Sequence, residues 1–134
     1  MIDIESKLFT RIANALRNEY PGIYVSPEYV RKPSHFPAVY IVEQDNTVNR
    51  AGRDSGEVEN FADVMYQADV FSNKNKGGKA EAKAIAAFID GQFAEIGFTR
   101  SFLNPVPNMD DATIYRMTGR WIATVGKDEV IYRR

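Results

Sequence analysis

"VENFADVMYQADVFS", residues 58–72, alternates along its whole length. Val58, Asn60, Ala62, Val64, Tyr66, Ala68 and Val70 fall on one side. Glu59, Phe61, Asp63, Met65, Gln67, Asp69 and Phe71 fall on the other. Successive side chains of a strand point to opposite faces, so the pattern predicts a strand with one mostly apolar face and one mixed, half-solvated face. It is markedly longer than the usual strand of about five or six residues. The rest of the fold is read outward from it.

Downstream, "NKNKGG" breaks the alternation and an Ala-rich run begins. Ile85, Phe88, Ile89, Phe93 and Ile96 recur at helical spacing, predicting a helix over 78–96 with Gly97 as its left-handed C-terminal cap. Phe98–Val106 reads as a strand stopped by Pro105 and Pro107, "NMDDA" as a turn, and 113–125 as a last strand. On that strand Tyr115, Met117, Trp121, Ala123 and Val125 share one side, and Ile114, Arg116, Thr118, Arg120 and Ile122 the other.

Upstream, Ile4, Leu8, Ile12, Ala15, Leu16 and Tyr20 form a helical stripe, with Asp3 as cap and Pro21-Gly22 as terminator. Gly22–Val30 reads as a short extended piece, and "AVYIVEQ", 38–44, as a compact strand. Residues 45–56, rich in Asn, Asp, Ser and Gly, predict a long exposed loop of the kind that often carries function. These elements predict an α+β fold: an antiparallel or mixed sheet of about four to five strands with two helices on one face. One domain spans 1–134, with an exposed loop at 45–56 and a C-terminal arm at 127–134.

Composition narrows the function. The chain has 134 residues and a net charge of −1, so nothing draws it generally to DNA or to anionic membrane. It has no cysteine, which excludes disulfides, thiolate chemistry and Cys-based zinc sites. No apolar run reaches the roughly 18 residues of a membrane helix. The N-terminus lacks the pattern of a signal peptide, and a soluble domain made in the cytoplasm is expected.

Strand, Gly-Lys loop and helix is also how a phosphate-binding loop is built. That pattern needs Gly, four residues, then Gly-Lys-Ser/Thr. Aligned on Gly78-Lys79, the first position is Asn73 and the last is Ala80, so both the wrapping glycine and the magnesium-binding hydroxyl are missing. A plain strand-to-helix connection turned by Gly77-Gly78 is expected instead. Its Lys74, Lys76 and Lys79 stand where the helix dipole disfavours cations, which suggests an acidic partner surface or a solubility role. The single histidine, His35, completes no triad and reads as structural. Asp110-Asp111 read as turn residues, and Asp63, Asp69, Arg116 and Arg120 as cross-strand ion pairs. No catalytic residue, cofactor or metal is expected.

What remains are features of association. The candidate interface residues are Arg50, Arg53 and Asp54 in the loop, and Phe61, Asp63, Met65, Asp69 and Phe71 on the wet strand face. Lys74 and Lys76 follow at the rim, then Val130, Ile131, Tyr132 and Arg133 on the arm. The arm lies beyond the last strand with little of its own domain left to cover it, so it is expected to pair with a neighbour's sheet edge or to be disordered.

In layout the chain resembles the tail-terminator and tail-completion (head–tail joining) proteins of long-tailed bacteriophages. The likeness runs from "IESKLFTRIANALRNEYPGIYVS" through "FPAVYIVEQDN" and a long polar loop. It continues in "ADVMYQADVFS", the "NKNKGG" connection, "KAEAKAIAAFIDGQF" and the "YR-x-x-GRW" strand. These are packing patterns, with no catalytic signature among them. The resemblance implies a structural virion protein, assembled in the bacterial cytoplasm, that forms a hexameric ring at the head-proximal end of the tail tube. Such a ring ends tube polymerisation, meets tail-tube and neck or connector proteins, and lets DNA through its lumen without specific binding. Another neck or tail-tube component, a phosphate- or nucleotide-binding enzyme using 73–79, and a host protein that binds a peptide at a sheet edge are the rival expectations.

Overall fold

The computed structural model describes residues 1–31, 33–49, 60–107 and 111–132. In chain order its elements are α1 (Glu5–Glu19), β1 (Tyr24–Ser26), β2 (Ala38–Val48), β3 (Phe61–Ser72), α2 (Gly78–Glu95), β4 (Thr99–Val106), β5 (Tyr115–Gly126) and β6 (Ile131–Tyr132). The fold is α+β. Five strands lie in the order β1-β2-β3-β5-β4, and the short β6 pairs with β5. β1 runs parallel to β2, and every other pairing is antiparallel. The sheet is therefore mixed, and it is open.

The alternation of β3 is used as its sequence indicates. Ala62, Val64, Tyr66, Ala68 and Val70 are buried in the main core together with Leu8, Ile12 and Leu16 of α1 and Ile85, Ile89 and Phe93 of α2. Both helices thus cover one face. Full burial of side chains this size contributes about 1.5–3 kcal/mol each before entropy is counted, so α2 cannot leave the sheet without unfolding the domain. Phe93 stacks on Trp121 at 4.6 Å between centroids and meets Phe98 edge-on at 5.2 Å. In α1 the fully buried alanine is Ala13, while Ala15 is only partly covered, because the stripe leans one residue toward α2.

The helix ends follow local rules. The cap position of α1 falls to Ile4, without a side-chain cap bond, and the expected cap Asp3 stands one residue earlier, where its carboxylate accepts the Glu5 N–H at 3.0 Å. Gly97 takes φ +100 just past the last turn of α2. Gly119 is required for a different reason: a Cβ there would stand 2.6 Å from Trp121 and 2.8 Å from Leu103.

Two expectations need correction, and a third falls outside the described residues. Residues 45–48 belong to β2 and not to a loop. A bulge near Gln44 resets the register, and Asp45, Asn46, Thr47 and Val48 then pair with Met65, Val64, Asp63 and Ala62. Their polar side chains hid a strand whose partner, β3, supplies the apolar half. Val58 and Glu59, expected to begin β3, lie outside the described residues. The arm is paired within its own chain: after a tight turn, Ile131 and Tyr132 lie opposite Val125 and Thr124 of β5.

Candidate interaction surfaces

The face of the sheet away from the helices divides in two. At one end Ala38, Tyr40 and Phe71 form a second buried cluster, roofed by Tyr24, Val30, Phe36 and Ile114. The Tyr40 hydroxyl donates to the Val30 carbonyl at 2.5 Å, tying Val30 down over the cluster. Burial, with Tyr24, Tyr29 and Asp69 nearby, pushes the Tyr40 phenol up to about 12. His35 packs edge-on against Tyr24 at 5.5 Å beside the Ser34 hydroxyl, a structural placement.

The other end carries a polar ladder across β3 and β5. Asp69 Oδ1 accepts from Arg116 Nε at 3.2 Å, Arg116 Nη2 at 2.9 Å and Thr118 Oγ1 at 2.5 Å. Asp69 Oδ2 accepts from Gln67 Nε2 at 2.9 Å, and Gln67 Oε1 accepts from Arg120 Nε at 2.9 Å. Asp63 Oδ1 accepts from Thr124 Oγ1 at 2.7 Å and from Asn49 Nδ2 at 3.3 Å. The expected cross-strand pairing is present for Asp69 with Arg116. Arg120 instead pairs with Gln67 and stands over the Phe102 ring at 5.7 Å.

Two proposed interface residues are therefore corrected. Asp69 is 3% exposed and Phe71 7%, so neither offers a surface. The ladder absorbs the carboxylate, and the aromatic cluster with Arg116 over it absorbs the ring. Phe61, Asp63 and Met65 remain partly exposed. Met65 lies opposite Ile122 in a half-exposed apolar strip beside the ladder, and the half-exposed Val42 and Phe102 flank Gln67 and Arg120 in the next row. The side of Ile122 was legible from the alternation of its strand, whereas Phe102 and Val42 were legible as outward-facing only after the register was fixed.

Lys74 and Lys76 are exposed at the start of α2. Glu81 in the first turn of that helix accepts the Ser72 hydroxyl at 2.7 Å and stands 3.8 Å from the Lys74 ammonium. The carboxylate thus occupies the positive end of the helix dipole, where a phosphate would otherwise sit. Asp111 closes a turn by accepting the Thr113 N–H at 2.9 Å and its hydroxyl at 2.6 Å, and those two bonds hold its carboxyl below the usual range. Among the described residues no group of three or more His, Asp or Glu is placed to hold a metal ion.

β1 covers β2 only at Ala38, Val39 and Tyr40, so the rest of β2 and the outer side of β4 are edges, and both are blunted. On β2 the Glu43 N–H, which faces away from β3, donates to Glu5 Oε2 at 3.2 Å. On β4 a bulge falls between Arg100 and Phe102, and Pro105 removes a donor. Bulges, prolines and covering side chains are how proteins close sheet edges to added strands. They weigh against a peptide pairing along either edge.

Arg50, Arg53 and Asp54 lie outside the described residues, as do Arg133 and the side chain of Tyr132. Val130 is exposed, and Ile131 packs against the core. Among the described residues no helix is long and apolar enough to cross a membrane. No protein-family model matches the chain, and no curated protein matches it.

Proposed function

We propose that the chain is a structural protein of a phage tail neck, a subunit of a ring that ends the tail tube and joins it to the head. The observation that carries this reading is the layout. An N-terminal helix, a long β2–β3 hairpin, a glycine-turned connection into α2 and a β4–β5 hairpin build a sheet with both helices on one face. That is the order of elements on which the resemblance to tail-terminator and tail-completion proteins stands.

The surface chemistry agrees with such a role. The outer face offers a neighbouring subunit the Met65–Ile122 strip beside a polar ladder in which Asp69 and Arg116 already neutralise each other. Closed edges leave faces, loops and the arm as the routes of contact. A net charge of −1 suits a lumen through which DNA must slide, since dense phosphate neutralisation would hold it. The alternative using 73–79 as a phosphate loop has Glu81 against it.

The test is functional capping. Added to a polymerising tail-tube protein of a long-tailed phage, the chain is expected to shorten the tubes and to sit at one end of each in electron micrographs. Tubes of unchanged length without end density would contradict the terminator role.

A further inference from the structure

The turn that carries the arm back onto its own chain has the wrong residue in it. Gly126 N donates to the Val130 carbonyl at 2.8 Å, and Glu129 N donates to the Gly126 carbonyl at 2.8 Å. This is a three-residue hairpin loop whose last residue must be left-handed, a position that glycine fills without strain. Here it is Glu129, at φ +66, the one non-glycine residue with positive φ among those described. A glutamate there is conformationally costly. What it gains is an ion pair with Lys7 of α1.

That pair is a weak compensation. The Lys7 and Glu129 side chains are 76% and 42% exposed, and pairs so open to solvent add little and are screened by salt. The strand it holds in place is two residues long. The seat beneath is nonetheless well shaped. Ile131 Cγ2 lies 3.1 Å from where a side chain on Gly97 would begin, so the glycine makes room for it. Beside it runs a groove of about 310 Å³ walled by Ile4, Leu8, Arg11 and Ile96.

A complementary seat, a marginal strand and a strained hinge are the conditions under which an element exchanges between identical chains. We propose that the C-terminal arm is exchangeable: in assemblies of this protein Ile131 and Glu129 of one copy occupy the Gly97 seat and meet Lys7 of a second copy. Exchange frees Glu129 from its left-handed conformation while keeping the ion pair and the two-residue ladder on β5. The partner is thus a second copy of this chain, and the inference requires no particular ring.

Charge-swap complementation tests it. Lys7→Glu and Glu129→Lys chains, prepared separately, each place like charges across their own seat. On mixing, opposite charges meet only where the arm of one variant sits on a chain of the other variant, in either direction. Native mass spectrometry is expected to show hybrid assemblies in several-fold excess over random mixing. That excess disappears when both chains also carry Ile131→Asp. Random proportions, or an excess that survives Ile131→Asp, would overturn arm exchange. Random mixing into closed rings would overturn exchange and leave the ring reading standing, and hybrid dimers without any ring would do the reverse.

Discussion

Gly119 shows how much one missing carbon decides. The indole of Trp121 and the Leu103 methyl occupy the space its Cβ would take, at 2.6 and 2.8 Å, and both atoms belong to the packed core side of β5. Protein interiors have no slack for such an atom, and overpacking costs about 1–3 kcal/mol. Gly119→Ala is therefore expected to lower the denaturant midpoint with little change in its slope; an unchanged midpoint would show that the core gives way freely. Nothing in the sequence marks this glycine apart from its position within an alternating strand. The opposite holds for Asp69, whose pairing with Arg116 across the strands was readable from the alternation. Its depth was not. Beside it Tyr24, Val30, Phe36 and Ile114 pack over Phe71 and Tyr40, long-range contacts without a local signature.

At the scale of elements, α1 is fastened to β2 by a cluster of polar groups. The Glu43 carboxylate accepts the Tyr66 hydroxyl at 3.0 Å, the Asn46 amide holds the Ile2 carbonyl at 2.7 Å, and Glu5 reaches the Glu43 N–H. Burial pushes Glu43 up from its ordinary 4.5; the Glu5 and Asp3 carboxylates add to this, while the Tyr66 and Asn46 bonds oppose it. A carboxyl raised in the folded state holds its proton more tightly there than in the unfolded chain. The stability it contributes is thus full below 4.5 and is lost as pH rises through its higher folded value. Glu43→Gln keeps an acceptor for Tyr66 and removes that loss. Unfolding curves measured from pH 4 to pH 7 are expected to diverge from wild type in the variant's favour as pH rises, and parallel curves would contradict the assignment.

The joint between α2 and β5 is a second such fastening. Asp90 accepts the Trp121 indole N–H at 2.9 Å and pairs with Arg100 at 2.9 Å. Trp121 is 1% exposed, so Asp90→Ala leaves a buried donor unsatisfied, at about 1–3 kcal/mol. Because the chain has one tryptophan, its fluorescence reports the loss directly; an unaltered emission maximum together with unaltered stability would contradict it. Helices and long strands were legible here because their apolar periods are strong. The polar extension of β2 was not, since half of its pattern resides in its partner strand. The arm's return was hidden for a related reason: it depends on a left-handed glutamate at a position where glycine is expected.

For the whole molecule, the legible part was the class and layout: two helices on one face of a mixed sheet, set by two amphipathic stripes and two long alternating strands. The candidate surface was legible in outline only. Of the β3 residues expected to face a partner, Phe61, Asp63 and Met65 keep exposure while Asp69 and Phe71 do not. Residues whose role is association leave a weak trace in sequence, because an apolar side chain that meets a second copy looks like one that meets its own core. The reading as a ring subunit follows from the layout, the closed edges of β2 and β4, and an outer face that combines satisfied polar groups with the Met65–Ile122 strip. Native mass spectrometry of the full chain over a range of protein concentrations tests that reading most directly. The account predicts a closed, discrete oligomer, the hexamer, that replaces the monomer as concentration rises without larger open polymers; a chain that remains monomeric at every concentration would contradict it.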